Sequence, residues 1–354
     1  MDYSQKFFNL IETVIRENAS DLHITVGRHP SIRIAGELIM LTKEDVITPE
    51  SAEGLAAVIL SPDDAKRFAE SYELDFSYSY QSKARFRVNV FRQRGMAGVA
   101  LRVVPAKIRT LEELNLPPIL LDFARKEQGF FLVVGPTGHG KTTTLAALVD
   151  FINHERAEHI ITVEDPIEYL FNSDRSIMDQ REVRTDTVSF AAALRSLFRE
   201  DVNVAMIGEM RDYETMATAV TAAETGHLVF SSLHTNNASQ TVDRIIDSFP
   251  AGQQNQIRAQ LSNSLLGVFS QRLLPRQSGG RIPAYELMIV NSAVRNLIRE
   301  NKIHEIDLVI DTSSREGMVS LNRSLLDLVR KGEVSMEVAA SYSLNPQEFQ
   351  LLAR

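Results

Sequence analysis

Apolar residues near the start of the chain, Phe7, Phe8, Leu10, Ile11, Val14 and Ile15, recur at the three- and four-residue spacing of a helix with one apolar face. They predict an amphipathic first helix packed on a core. From residue 20 to about 104 the period changes to two. In His23-Ile24-Thr25-Val26, Ser31-Ile32-Arg33-Ile34 and Arg85-Phe86-Arg87-Val88-Asn89-Val90 every second position is apolar, as a half-buried antiparallel sheet requires. Gly27, Pro30 and Gly36 punctuate the strands, and helical stretches interrupt at 51–60 and 63–70. Residues 1–104 therefore read as a small α+β domain.

Near residue 105 the texture changes. Pro105, then Pro117-Pro118 after a short acidic segment, mark a connection that continues neither as helix nor as central strand. Residues 105–112 are expected to be the linker and 113–354 the second domain. There, short strands at 130–134, 160–163, 204–207 and 228–231 are nearly continuous in apolar residues, the pattern of a parallel sheet covered on both faces. Helices are expected between them at 141–153, 189–198 and 213–223. The class is α/β. From about 252 onward the chain reads as mostly helical, with Gly279-Gly280 as a turn.

Composition narrows the function. The 354 residues suggest about two domains, and with 44% hydrophobic and 24% charged residues the chain is an ordinary globular one. A formal charge of -8 offers no global basic field for nucleic acid or an anionic membrane. With no cysteine, thiolate zinc sites, iron–sulfur clusters and disulfides are excluded. No apolar run approaches the roughly 18 to 20 residues that span a bilayer. The N-terminus lacks a basic segment and a cleavage site, so it does not read as a signal peptide. These features together favour the cytoplasm.

The chemistry centres on Gly135-Pro136-Thr137-Gly138-His139-Gly140-Lys141-Thr142, followed by Thr143. This run matches the eight-residue phosphate-binding loop and sits between an apolar strand and a helix. Glycines let successive N–H groups turn toward phosphates, Lys141 is expected to reach the terminal phosphates, and Thr142 to ligate Mg²⁺. His139 adds bulk where a small residue suffices and reads as an exposed variant. Val204-Ala205-Met206-Ile207-Gly208-Glu209 ends a strand in a carboxylate, which at the same sheet edge holds Mg²⁺ through water or orients the attacking water. Glu164, Asp165 and Glu168 follow another buried strand in a turn fixed by Pro166. Beside a phosphate loop they suit Mg²⁺ binding or general-base work; alone they would read as a solvated acidic turn. His227 and His234 flank one strand, and either could sense the γ-phosphate or make a structural hydrogen bond. Arg85, Arg87, Arg92, Arg94 and Arg102 crowd the end of the first domain. Most fit a solvated strand face, while Arg85 and Arg102 are the choices for arginine fingers.

Taken in order, these motifs resemble the secretion and pilus ATPases of the RecA-like P-loop class, most closely the type IV pilus retraction ATPases of the PilT type. The resemblance runs from Ser20-Asp21-Leu22-His23 through Arg85-Phe86-Arg87-Val88-Asn89 and the phosphate loop. Glu164-Asp165-Pro166-Ile167-Glu168-Tyr169 looks like that family's Asp box, and Gly208-Glu209-Met210-Arg211-Asp212 like its Walker B element. Ala223-Glu224-Thr225-Gly226-His227 with Leu233-His234-Thr235 looks like its His box, and Ala293-Val294-Arg295-Asn296-Leu297-Ile298-Arg299-Glu300 like its retraction motif. The resemblance implies a PAS-like first domain, a RecA-like second domain, a homohexameric ring and ATP as the nucleotide. It implies Glu168 as the residue that polarises water, with Glu209 supporting Mg²⁺ and His227 coupling nucleotide state to the strand. It also implies an inner-membrane platform protein as partner, with peripheral membrane association through it, motion about residues 104–112, and a possible paralogous retraction ATPase alongside.

Several positions depart from the pattern. His139 replaces a small polar residue, Val202-Asn203 stands where a proline and an acidic residue are common, and Asn237 replaces a serine. Ser270-Gln271-Arg272-Leu273-Leu274-Pro275 looks more like the accessory PilU-type paralogue. The competing readings are an extension or type II secretion ATPase, disfavoured by the missing zinc cysteines, a nucleic-acid remodeller, disfavoured by the negative charge, and an ATP-gated scaffold without turnover, disfavoured by intact Lys141, Glu168 and Glu209.

Overall fold

A computed structural model describes residues 2–81, 83–105 and 107–353. The chain divides into two compact units, the first comprising 1–107 with Pro166–Leu170, the second 108–165 with 171–354.

In the first unit, helix Tyr3–Arg16 buries Phe7, Leu10, Ile11 and Val14, the face its spacing predicts. Strands β1 (Asp21–Ile24), β2 (Ser31–Ile34), β3 (Glu37–Met40), β4 (Glu73–Tyr80), β5 (Ala84–Gln93) and β6 (Met96–Val104) form an antiparallel sheet in the order β3-β2-β1-β6-β5-β4. Alternation puts Phe86, Val88 and Val90 of β5 into the core. Between β5 and β6, Arg94 and Gly95 both adopt positive φ, of 51° and 78°, as a two-residue hairpin turn demands. Helix Pro49–Ile59 starts with a reciprocal cap in which Ser51 N–H donates to Thr48 Oγ1 and Thr48 N–H to Ser51 Oγ.

The second unit is built on strands β7 (Gly129–Val134), β8 (His159–Glu164), β9 (Ile177–Glu182), β10 (Val204–Ile207), β11 (Leu228–Leu233), β12 (Leu265–Pro275) and β13 (Arg281–Ile289). Their order is β13-β12-β7-β11-β10-β8-β9. Every pair is parallel except β12 with β13. β7, β10 and β11 are buried at every position, because helices cover both faces of a parallel sheet. Helices Lys141–Glu155, Phe190–Leu197 and Tyr213–Glu224 fall where the spacing puts them.

Three strands of this unit were not expected from the sequence. The region after 252 is helical over most of its length, as expected, but it also contains the β12–β13 hairpin, which extends the central sheet beyond β7. Gly267 is required there, since a Cβ would lie 2.7 Å from Met288 O. Pro283 is accommodated because β13 is an edge strand. At the other edge, β9 carries mostly polar residues and gives no apolar signal.

Candidate nucleotide site

Because β7, β8, β10 and β11 are parallel, their carboxyl ends share one edge of the sheet. The residues that follow are the phosphate loop after β7, Asp165 after β8, Gly208-Glu209 after β10 and His234 after β11. Ligands in open α/β sheets bind at this edge.

The loop has the backbone its glycines permit. Gly135, Gly138 and Gly140 adopt φ of 141°, 79° and 84°, values that L side chains rarely take. A Cβ on Gly135 would lie 2.3 Å from Gln271 O, whereas one on Gly138 would meet nothing within 4 Å, so the loop is packed on its inner side and open on its outer side. Gly140 caps helix Lys141–Glu155 without a side-chain hydrogen bond, which leaves the first-turn N–H groups to an anion. Lys141 is only 7% exposed, and its Nζ donates to Gly135 O at 2.9 Å and Pro136 O at 3.0 Å. Thr142 and Thr143 stand half-buried in that first turn. An open cradle of N–H groups with an ammonium at its base fits a nucleotide's phosphates.

Across from the loop stands a hydrogen-bonded chain. His234 Nδ1 lies 3.4 Å from Lys141 Nζ and 3.3 Å from Thr137 Oγ1, and its Nε2 lies 3.3 Å from Glu209 Oε2. The other carboxylate oxygen of Glu209 accepts from Arg211. Burial pushes the Glu209 pKa up, but the Arg211 hydrogen bond and charge, with His234, outweigh it and leave the carboxyl below its usual range. Glu209 is thus an ionised oxygen donor, and with the Thr142 hydroxyl it suits a hard cation such as Mg²⁺.

The acidic turn divides. Glu164 is 2% exposed, and its Oε1 accepts from Thr162 Oγ1 at 2.9 Å and Gln180 Nε2 at 3.4 Å. It is a buried carboxylate engaged by these two donors, so among the residues expected to serve a metal it is one that is not presented to a hydrated cation. Asp165 pairs with Arg184 at 3.4 Å. Glu168 belongs to the first unit, where Arg87 Nη1 donates to its Oε1 at 3.2 Å.

Other expected residues are placed differently. His227 precedes β11, and its carbonyl accepts from Gly129 N–H at the start of β7, so it sits at the amino edge of the sheet, roughly 20 Å of strand away from the loop. Its Nδ1 lies 3.0 Å from Ala222 O, and its ring meets Phe198 edge-on. His227 therefore does not reach this subunit's phosphate loop; His234 does. Parallel pairing with β7 is the signal that separates the two. Arg102 donates to Asp21 at 2.9 Å while remaining 71% exposed, and Arg85 lies 3.4 Å from Ser79 Oγ. His139 is half-buried, not exposed: its Nδ1 accepts from Leu273 N–H. Arg211 and Gln271 are site residues that the motifs did not single out. Gln271 accepts from Thr144 Oγ1 and donates to His139 O.

Residues 4–340 match the family described as type II/IV secretion system protein. The chain is 43% identical to the type IV pilus retraction ATPase PilT of Pseudomonas aeruginosa, over 94% of its own length and 97% of that protein's. It is 37% identical to the type IV pilus ATPase PilU of the same organism, over 99% of this chain and 91% of PilU. The crystal structure of the pilus retraction motor PilT with bound ADP superposes with a TM-score of 0.90 at 45% identity, covering 97% of this chain and 98% of that one. The sheet-edge phosphate loop, the carboxylate beyond it and this likeness along nearly the whole chain lead to one conclusion: the chain belongs to the type II/IV secretion system protein family, within its PilT-type branch.

Proposed function

We propose that this chain is an ATPase motor that drives type IV pilus retraction and so twitching motility. The observation that carries the reading is the phosphate loop, with Lys141 at its base and His234 and Glu209 across from it, in a chain similar over nearly its whole length to a protein named as a pilus retraction ATPase.

ATP with Mg²⁺ would supply the scissile phosphoanhydride and the charge the site neutralises. Backbone N–H groups between 138 and 143 bind phosphate oxygens, and Lys141 exchanges the Gly135 and Pro136 carbonyls for phosphate. Thr142 and Glu209 offer oxygens to the cation. Glu168 Oε1, in exchange for Arg87, accepts the proton of the attacking water. Arg85 and Arg102 serve a neighbouring subunit in a homohexamer, with Arg102 leaving Asp21 to do so. A PAS-like domain over 1–104 and a RecA-like domain over 113–354 work about the linker at 105–112. The partners are further copies of the chain, an inner-membrane platform protein that holds the ring at the membrane, and a paralogous retraction ATPase, with no nucleic acid.

Two measurements test the reading. The purified protein is expected to hydrolyse ATP only with Mg²⁺. Deleting the gene is expected to leave cells with more surface pili and no twitching; cells without pili would make it an extension motor instead.

A further inference from the structure

His139 joins the phosphate loop to the β12–β13 hairpin. Leu273 N–H donates to His139 Nδ1 at 2.9 Å, and Gln271 Nε2 donates to the His139 carbonyl at 2.9 Å. Thr144 Oγ1 in turn donates to Gln271 Oε1 at 2.7 Å, and Arg281 Nη1 lies 3.4 Å from Gly138 O. An imidazole nitrogen that accepts carries no proton, so the ring is neutral with its hydrogen on Nε2. Burial, reinforced by the charges of Arg272 on β12, Lys141 and Arg281 on β13, makes protonation of this ring harder than usual. The Tyr342 ring faces the imidazole from the C-terminal helices, with centroids 6.4 Å apart.

The backbone consequence follows from peptide geometry. In a planar trans peptide the carbonyl and the next N–H point to opposite sides. Fixing Gly138 O and His139 O toward the hairpin therefore turns the N–H groups of His139 and Gly140 away from it.

We propose that His139 is a positioning residue for the nucleotide phosphates, and that the Leu273-to-Nδ1 hydrogen bond locks the loop with these two N–H groups aimed at the incoming anion. The proposal rests on the ATP-binding reading above. The loop is then preorganised by the hairpin, and binding does not have to supply that order.

The test uses the full-length protein with His139→Asn, His139→Gln and His139→Leu. Asparagine places an acceptor oxygen where Nδ1 stands, glutamine reaches instead toward the Nε2 position, and leucine fills space without an acceptor. ADP affinity by calorimetry and steady-state kcat and KM for ATP are measured for each. Leucine and glutamine are expected to weaken ADP binding and raise KM roughly three- to tenfold, the scale of one neutral hydrogen bond, with kcat within about twofold. Asparagine is expected to stay within about twofold of the wild type on both. Equal affinities in all four proteins, or asparagine as weak as leucine, overturn the proposal. Amide hydrogen exchange at Leu273 without nucleotide separates the two readings. Slow exchange in the wild type and asparagine proteins with faster exchange in the other two supports the lock, and uniform exchange overturns it. A wild type that binds no ADP would instead overturn the ATPase reading.

Discussion

His234 Nε2 lies 3.3 Å from Glu209 Oε2, and the same ring turns its Nδ1 to Lys141 and Thr137. Accepting at Nδ1 and donating at Nε2, one imidazole spans the gap between the carboxylate after β10 and the loop after β7.

His234→Ala is expected to lower ATP turnover at least about tenfold, because Glu209 loses a donor and Lys141 an acceptor at the reacting edge. His227→Ala, which removes contacts at the opposite edge, is expected to cost less turnover in the same phosphate-release assay.

The loop glycines are expected to separate by substitution. Gly135→Ala drives a Cβ to 2.3 Å from Gln271 O at a φ of 141°, and should cost about 3 kcal/mol or more in thermal or denaturant unfolding. Gly138→Ala meets nothing within 4 Å, so only the left-handed backbone penalty of about 1–2 kcal/mol applies. Its folded protein should nevertheless lose nucleotide affinity, since the added methyl projects into the open side where phosphate approaches.

Glu168→Ala is expected to abolish turnover while leaving nucleotide affinity largely intact, because Arg87 holds Glu168 within the first unit while the phosphate cradle is built from residues of the second. Unchanged turnover would remove Glu168 from the role of base.

Stability should depend on pH through Glu286, which accepts from Ala238 N–H at 2.7 Å. Burial raises its pKa from 4.5 to about 7, with Asp307 and Asp311 adding to the rise and Ala238 and Arg272 opposing it. The folded state thus holds a proton that the unfolded state releases at lower pH. Its contribution is fully present below about 4.5 and is lost as pH rises through about 7. The shift corresponds to about 3 kcal/mol. Glu286→Gln should flatten this slope and, above pH 7, be as stable as the wild type or more so; chemical unfolding between pH 5 and about 8 reads it.

The central strands were legible because residues buried on both faces leave unbroken apolar runs, as in β7 and β11. β12 and β13 are also largely buried, but length and apolarity alone do not distinguish such runs from buried helix. β9 is polar because it is an edge strand. At the site, Lys141 and Glu209 were legible from strand-end spacing. The roles of Gln271 and Leu273 were not, because no local pattern links residue 139 to a strand so far along the chain. Which histidine faces the loop depends on strand direction, and that emerges only when β11 is paired with β7.

Strand order also sets a timetable for synthesis. β7 at 129–134 is flanked in the sheet by β11 at 228–233 and β12 at 265–275, both made much later. On the ribosome the phosphate-loop strand therefore waits without either neighbour, and non-local pairing of this kind is slow. A nascent chain that stops short of residue 273 carries every letter of the nucleotide motif but lacks the strand that shapes it. The loop's inner packing, Gly135 against the carbonyl of Gln271, is therefore completed only after the β12 strand has been made.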